Sequence, residues 1–285
     1  MLALLLLFLP IGGCVRTDND PAQSEPSTNE LRLVVISPAL AVILTDLGLE
    51  DTIVGRHGWD QVLDPAIPIC GDQSGLDYEA LLRAQPTHVF TEWGSRELPA
   101  KLANLAASEG WLLRDFRLLT LADIDTAATE LETLFPQASP SDGVTSFHAL
   151  VTEPLPEPVW AGRVLLLMST SPITALGPGS AHHELLMRAG GVPAIEEGSP
   201  YMPLHAEDVL RLAPDAIVLI QPGSASGPDT IGMEHDLGPI LNLDIPAIKH
   251  ERFALVSEPL GLLPSTRLEK VAVWMGRTLE EWAQE

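Results

Sequence analysis

The feature that most constrains the fold of this 285-residue chain is a pattern that occurs twice. The segment that begins at Glu79 reads EALLRAQPTHVF, and the segment that begins at Glu207, 128 residues later, reads EDVLRLAPDAIV. Both keep Glu, Leu, Arg and Pro at the same offsets, which predicts a short helix stopped by proline and followed by a buried strand. Two copies are too few for a solenoid. The chain is therefore predicted to contain two similar α/β halves.

Short apolar runs alternate with amphipathic stretches along the rest of the chain, which favours parallel α/β layers. The spacing predicts strands at 31–36, 52–55, 88–91, 163–168, 216–220 and 254–257, and helices at 39–48, 77–84, 97–109, 180–189 and 267–283. Residues 121–153 have helical spacing, so a helical segment should join the halves once. We expect an N-terminal lobe at 31–120, a helical interlobe connector at 121–160 and a C-terminal lobe at 161–285.

The N-terminus has an apolar run at residues 2–9 and the sequence Ile11-Gly-Gly-Cys14 soon after it. The run is too short to cross a hydrocarbon core, which takes about 20 helical residues, and it fits an export signal. Small residues before a cysteine resemble the lipobox of bacterial lipoproteins, in which Cys14 is lipidated. We expect a lipoprotein signal with lipobox at 1–14 and a disordered tether at 15–30. The alternative is an apolar tail that is never processed.

The charge balance limits the possible partners. The chain has 39 Asp and Glu against 16 Lys and Arg, a formal net charge of −23. Such a surface repels phosphate backbones, so we expect no nucleic-acid partner. An anionic small ligand is not excluded, because a pocket can differ from the average surface. Cys70 is the only thiol besides Cys14 and is predicted to be a small buried apolar side chain.

Several short motifs occur in an order that points to one family. They are LRLVVISP at 31–38, LGLEDTIVG at 47–55, CG at 70–71 before LDYE, GPGSAHHELL at 177–186 and PYMPLHAE at 200–207. Together they resemble the cobalamin/iron-siderophore/heme periplasmic-binding family, the substrate-binding components of ABC importers. The resemblance implies an α/β, bilobal periplasmic-binding-protein fold. Two parallel-sheet α/β lobes would be joined by a single bridging helix, with a shallow cleft between them.

The resemblance also implies what the protein binds. It would capture a bulky metal chelate outside the cytoplasm and pass it to an ABC permease and its ATPase, with no resident cofactor and with membrane contact through the lipid anchor only. Heme binders often have Tyr after the glycine that matches Gly71, where this chain has Asp72. We therefore expect a cobalamin-like corrinoid or a ferric-siderophore chelate, with heme or a metal ion as the alternative. The histidines are too scattered for the converging ligands that a bare ion needs, so no metal site is expected.

Clefts that take large chelates present aromatic faces and a few polar anchors. Open parallel sheets bind ligands at the carboxyl ends of their strands. Trp93 follows the strand predicted at 88–91, and Tyr201 is expected at the matching place in the second lobe. The candidate ligand-binding residues are His57, Trp59, Asp72, Gln73, Trp93, Tyr201 and Glu258. The alternative for each is a structural role, such as packing within its own loop.

Two further glutamates, Glu97 and Glu207, lie where the resemblance implies permease docking, in which family glutamates pair with permease arginines. The alternative is solvated surface charge in an acidic chain. Neither glutamate would then have a specific partner.

Enzyme motifs are incomplete in this sequence. The glycines at 177–179 are followed by no P-loop lysine, and Met187 stands where a zinc protease motif has its second His. No Gly-x-Ser-x-Gly elbow occurs. We therefore expect no catalytic residues and no enzyme. The alternative from another class is an exported sensor module or hydrolase that uses the same fold, which neighbouring permease and ATPase genes would argue against.

Replacing Cys14 with Ser is expected to move the protein from the membrane fraction to the soluble fraction, because the lipidated thiol is lost. Immunoblotting of fractionated cells measures this change, and Cys70→Ala is the control that should stay on the membrane. Retention of Cys14→Ser on the membrane would disprove the anchor.

Overall fold

The structure, a computed structural model, describes residues 30–72, 74–94, 96–222 and 237–285. The signal and lipobox expected at 1–14 lie outside the described residues, as does the tether expected at 15–30 except for its last residue. The candidate ligand residue Gln73 also lies outside them.

The first sheet contains the strands β1 (Leu33–Ile36), β2 (Ile53–His57), β3 (Ile69–Asp72), β4 (Gly75–Leu76), β5 (His88–Thr91) and β6 (Leu112–Asp115). Their order across the sheet is β4-β3-β2-β1-β5-β6. All neighbouring pairs are parallel except β3–β4, which is antiparallel. The carboxyl ends of five strands therefore meet at one edge of this sheet.

The second sheet contains the strands β7 (Arg163–Thr170), β8 (Ile173–Leu176), β9 (Val192–Pro193), β10 (Tyr201–Pro203), β11 (Ala216–Ile220) and β12 (Phe253–Val256). The order is β10-β8-β7-β11-β12, and β9 also pairs with β7. The centre is parallel, as expected, but β8 runs antiparallel to both β7 and β10. The lobe thus has the expected parallel centre, with an antiparallel side that the sequence did not predict. Only two residues separate β7 from β8, and such a short turn can only return the chain antiparallel.

The described helices are α1 (Pro38–Asp46), α2 (Tyr78–Ala84), α3 (Ala100–Glu109), α4 (Leu121–Leu134), α5 (Asp142–Thr152), α6 (Ala181–Arg188), α7 (Ala206–Leu212), α8 (Pro246–Lys249) and α9 (Leu268–Gln284). The connecting segment thus contains two helices, α4 and α5, where the resemblance implies a single bridging helix. Pro136 and Pro140 lie between them, and proline cannot continue a helix. Among the described helices, none has both the length and the apolarity needed to cross a membrane.

The repeated pattern of the sequence forms the same unit in both lobes. Each copy ends its helix with a residue in the left-handed region, Gln85 (φ 44°) after α2 and Ala213 (φ 43°) after α7, and the chain then enters β5 or β11. In each lobe an arginine next to the first strand, Arg32 or Arg163, donates to the last carbonyl groups of that helix, with closest distances of 2.8 Å. A positive charge at a helix C-terminus is favourable. The two-halves prediction is confirmed at this level.

One apolar core contains residues from both sheets. Leu33 and Val35 of β1 face it, and so do Val164 and Leu166 of β7. Residues of α1, α4, α5, α6 and α9 fill the space between them, among them the fully buried Phe147. The alternate residues of β1 and β7 face two smaller cores on the outer sides of the sheets. Burial on both faces explains why these strands are uninterrupted apolar runs.

A buried ionic contact joins the two lobes beside this core. The Asp46 carboxylate at the end of α1 is 4% exposed. It accepts hydrogen bonds from Thr266 Oγ1 at 2.6 Å and from Arg267 Nε at 2.8 Å and Nη2, at the start of α9. The hydrogen bond to Asp46 is the main cause that raises the pKa of Arg267. The guanidinium therefore stays charged and keeps the two helix ends together.

Asp46→Ala is expected to lower the free energy of unfolding by about 2–3 kcal/mol, because it leaves the Arg267 charge without its partner. The loss should fall below that of a fully buried pair, since 32% of the Arg267 side chain reaches solvent. The matched control is Asp244→Ala, which breaks an exposed pair with Lys249 and should cost less than about 0.5 kcal/mol. Equal losses for the two variants in urea unfolding would contradict the proposed importance of the contact.

Candidate ligand-binding cleft

A cavity of about 440 Å³ lies between the two lobes. The first lobe contributes Glu92 and Gly94 after β5 and residues 117–119 after β6, and the second lobe contributes Pro200 and Tyr201 at the start of β10. A volume of this size is typical of small-molecule sites. Because both lobes line it, we refer to this cavity as the interlobe cleft.

A larger cavity of about 630 Å³ lies on the first lobe alone. Arg32 and Pro68, which line it, precede β1 and β3, so it lies at the amino ends of the strands. Open parallel sheets bind ligands at the opposite edge. The interlobe cleft is therefore the stronger candidate.

Parallel pairing brings the candidate residues of the first lobe to one edge. Ser37 follows β1, His57 ends β2, Asp72 ends β3, Glu92 follows β5 and Asp115 ends β6. Neighbouring strands are about 4.8 Å apart, so β2 and β5, two strand spacings apart, differ in position by roughly 10 Å. Residues that are distant in the sequence thus form one rim.

Glu92 is the most unusual polar group of the interlobe cleft. Its Oε2 accepts a hydrogen bond from Ser37 Oγ at 2.7 Å. Burial raises the pKa of Glu92, the hydrogen bond from Ser37 opposes that shift, and the charge of Asp115 adds to it. Burial also raises the pKa of Tyr201, and the negative charge of Glu92 raises it further. Glu92 and Tyr201 line the same cleft from opposite lobes.

Trp93 is held by its backbone at the rim of this cleft. The Asp115 carboxylate accepts hydrogen bonds from the Trp93 backbone N–H at 2.8 Å and from Thr91 Oγ1 at 2.6 Å. The Trp93 ring is partly exposed, and the Arg96 guanidinium carbon lies 4.7 Å from its centroid. Asp115 thus fixes the backbone at Trp93, and the Arg96 guanidinium lies over the ring.

His57, Trp59 and Asp72 form a second group on the same edge. His57 is 4% exposed, and its Nδ1 accepts the backbone N–H of Trp59 at 3.1 Å, so a neutral ring carries its proton on Nε2. Burial lowers the pKa of His57, against the charges of Asp72 and Asp60. The Trp59 ring is 63% exposed and meets the His57 ring edge to face at 6.0 Å. Hydrogen bonds from Ser74 lower the pKa of Asp72.

Tyr201 reaches the interlobe cleft by a different route from the one expected. It does not follow a strand as Trp93 does but begins β10, where it pairs with Leu176, and its side chain is 49% exposed. Glu258 follows β12, and its charge acts on Arg267 and Glu269 near the start of α9. Tyr201 thus lines the cleft described above, whereas Glu258 lies beside the contact between the lobes.

The two docking candidates are both exposed at sheet edges. Glu97 lies in the loop between β5 and α3, and Glu207 lies in the first turn of α7 just after β10. The ligand and docking roles of all these residues stay predictions.

Several polar residues in or beside the cleft were not predicted from the sequence. Glu92 and Arg117 line it, and Ser37 and Asp115 hold Glu92 and the Trp93 backbone. Their strongest available signal was position, since Glu92 directly precedes Trp93 after a buried strand. Asp115 was missed because the strand it ends, LLRD, is too short and too polar to stand out. Within the described ranges, no three His, Cys, Asp or Glu side chains are grouped so that they could hold a metal ion.

Three other polar or reactive side chains are buried in the structure, and for Cys70 this was predicted. His182 and His183 are buried, and each Nε2 bonds to a backbone carbonyl oxygen, of Gly261 at 2.8 Å and of Ile195 at 3.0 Å. Cys70 is fully buried, and burial raises the pKa of its thiol to about 11. An inert thiol of this kind acts as a small apolar side chain.

Comparison with solved structures gives consistent matches over most of the chain. The periplasmic heme-binding protein HutB of Vibrio cholerae is 16% identical, with a TM-score of 0.64 and 89% of this chain and 98% of that chain covered. The S. aureus protein IsdE complexed with heme is 19% identical, with a TM-score of 0.62 and coverage of 88% and 99%. The periplasmic vitamin B12 binding protein BtuF of V. cholerae is 16% identical, with a TM-score of 0.61 and coverage of 89% and 98%.

No protein-family model and no curated protein sequence matches the chain. At these low identities the structural likeness establishes the fold, which is the bilobal α/β fold of periplasmic binding proteins. The fold class expected from the sequence is thereby confirmed. Since one fold can host many functions, the function has to be argued from the cleft itself.

Glu92→Gln is expected to raise the melting temperature at pH 7 by about 2 °C and to have little effect at pH 4. An acid whose pKa is raised by folding contributes stability below its ordinary value of 4.5, and this stability is lost as the pH rises through the raised pKa. Glutamine cannot ionise and avoids that loss. Thermal unfolding at both pH values tests this, with the exposed Glu109→Gln as control, and a gain that is independent of pH would contradict it.

Proposed function

We propose that this protein is the substrate-binding lipoprotein of an ABC importer, anchored outside the cytoplasm by lipid on Cys14. The observation that carries the proposal is the interlobe cleft. Its lining includes the Glu92 carboxylate from the first lobe, the Tyr201 ring from the second lobe and apolar loop residues. The similar structures named above are periplasmic binding proteins for heme and vitamin B12. The protein captures its ligand and delivers it without covalent chemistry.

The ligand that we propose is a cobalamin-like corrinoid or a ferric-siderophore chelate. Tyr201 lines the interlobe cleft, and Trp93 lies in the chain between two of its lining residues, Glu92 and Gly94. Trp59 offers a third, strongly exposed ring after β2 of the first sheet. His57, Asp72, Gln73 and Glu258 are proposed as polar contacts around these rings. Heme is the alternative, favoured by the heme-binding neighbours and disfavoured by Asp72 at the place where heme binders often have a tyrosine.

Trp93→Ala is expected to weaken chelate binding at least about tenfold, because stacking of one flat ring is worth about 1–3 kcal/mol. Trp93→Phe keeps a stacking face and should lose much less, which separates stacking from loop folding. Isothermal titration calorimetry with cyanocobalamin, ferrioxamine B and hemin measures both variants. Unchanged affinity in Trp93→Ala for whichever chelate binds would remove Trp93 from the site.

We propose that Glu97 and Glu207 dock the two lobes onto the permease, which works with its ATPase. Both carboxylates are exposed, Glu97 in the loop after β5 and Glu207 in the first turn of α7 after β10. Carboxylates on each lobe suit recognition by permease arginines, since complementary charges orient an encounter.

The double variant Glu97→Ala with Glu207→Ala is expected to reduce cellular uptake of the bound chelate while its affinity in solution stays unchanged. The reason is that both side chains lie outside the lining of the interlobe cleft. Uptake of labelled ligand and calorimetry on the same variant provide the two measurements. Normal uptake would count against docking through these residues.

A further inference from the structure

The acidic side of the interlobe cleft has no compensating ion pair. Glu92 and Asp115 end adjacent strands, and the charge of Asp115 raises the pKa of Glu92. Among the residues that the structure describes, no Lys, Arg or His forms an ion pair with either carboxylate. Ser37 donates a hydrogen bond to Glu92, and Tyr201 lines the same cleft from the other lobe.

The basic side chains near the cleft already have partners of their own. Arg117, which lines the cleft, pairs through Nε with Asp123 Oδ2 at 3.3 Å. The Arg96 guanidinium lies over the Trp93 ring. The part of the cleft around Glu92 is therefore negatively charged, even though Arg117 also lines the cleft.

Glu92 also has one oxygen available to a ligand. Ser37 Oγ donates to Oε2, while no described group donates to Oε1. The Ser37 hydroxyl has a single proton, and it accepts the N–H of Leu40 at 3.1 Å as the N-cap of α1, so its orientation is fixed. The hydrogen bond from Ser37 thus holds the carboxylate through Oε2, and Glu92 is one of the residues that line the cleft.

From this arrangement we propose that Glu92 sets the charge preference of the cleft. Its Oε1 accepts a hydrogen bond from an N–H or O–H group on the edge of the chelate and repels a carboxylate at the same place. The inference rests on the proposed function and narrows its substrate class to chelates whose edge carries amides, hydroxyls or other donors. Two like charges brought together in a partly buried site oppose binding, whereas a donor on a charged acceptor favours it.

The test compares one ring system with and without its carboxylates. Hemin carries two carboxylates, and hemin dimethyl ester carries none. For wild-type protein we expect the ester to bind at least about fivefold more tightly than the free acid, which corresponds to about 1 kcal/mol. Glu92→Gln keeps the shape and the bond from Ser37 but removes the charge, so this ratio should fall at least about threefold. The exposed Glu109→Gln is the matched control and should keep the wild-type ratio.

Donor-bearing probes provide the second arm of the experiment. Cyanocobalamin and ferrioxamine B both present amide groups, and Glu92→Gln should weaken binding of whichever one binds at least about threefold. Two results would overturn the inference and leave the proposed function standing. The first is that the wild type prefers free hemin to its ester. The second is that the wild type and Glu92→Gln have the same ester-to-acid ratio and the same affinity for the donor-bearing probes. Binding of none of the four probes by the wild type would overturn the proposed function and this inference with it.

Discussion

One apolar core between the two sheets holds the interlobe cleft in its place. The inward faces of β1 and β7 both pack into it, and five helices fill the space. Asp46 joins the two lobes beside this core. Its buried carboxylate accepts hydrogen bonds from Thr266 and Arg267 of the other lobe. The lobes are thus positioned by close packing and by one charged contact that tolerates little displacement.

This rigid frame gives the cleft its electrostatic character. Ser37 ends β1, caps α1 and donates to Glu92, so the same hydroxyl links strand, helix and cleft. Asp115 similarly links the neighbouring strands β5 and β6. Its carboxylate accepts hydrogen bonds from the Thr91 hydroxyl and from the backbone N–H of Trp93. The Glu92 carboxylate that lines the cleft and the backbone of Trp93 are therefore both held by hydrogen bonds. The whole chain has a formal net charge of −23.

Much of the fold could be predicted because its central strands are buried on both faces. Residues 216–220 and 88–91 are strands as expected, and the predicted helices at 39–48 and 267–283 match α1 and α9 to within a few residues. The strands β6, β8 and β10 were missed, since their places in the sheets depend on neighbours that the sequence does not reveal. Glu92 was missed for the same reason, because a glutamate after a strand has no distinct pattern of its own.

The sequence by itself determined the two repeated α/β units, the apolar strands and the prolines that stop the repeated helices, because these depend on local periodicity and backbone geometry. Only the tertiary structure decided the antiparallel edge of the second sheet and the contact between Asp46 and Arg267, residues that are far apart in the chain. It also decided that Glu92 and Tyr201 line the same cleft. Such pairings depend on how the two halves pack against each other, and no local sequence pattern shows which distant residues come into contact.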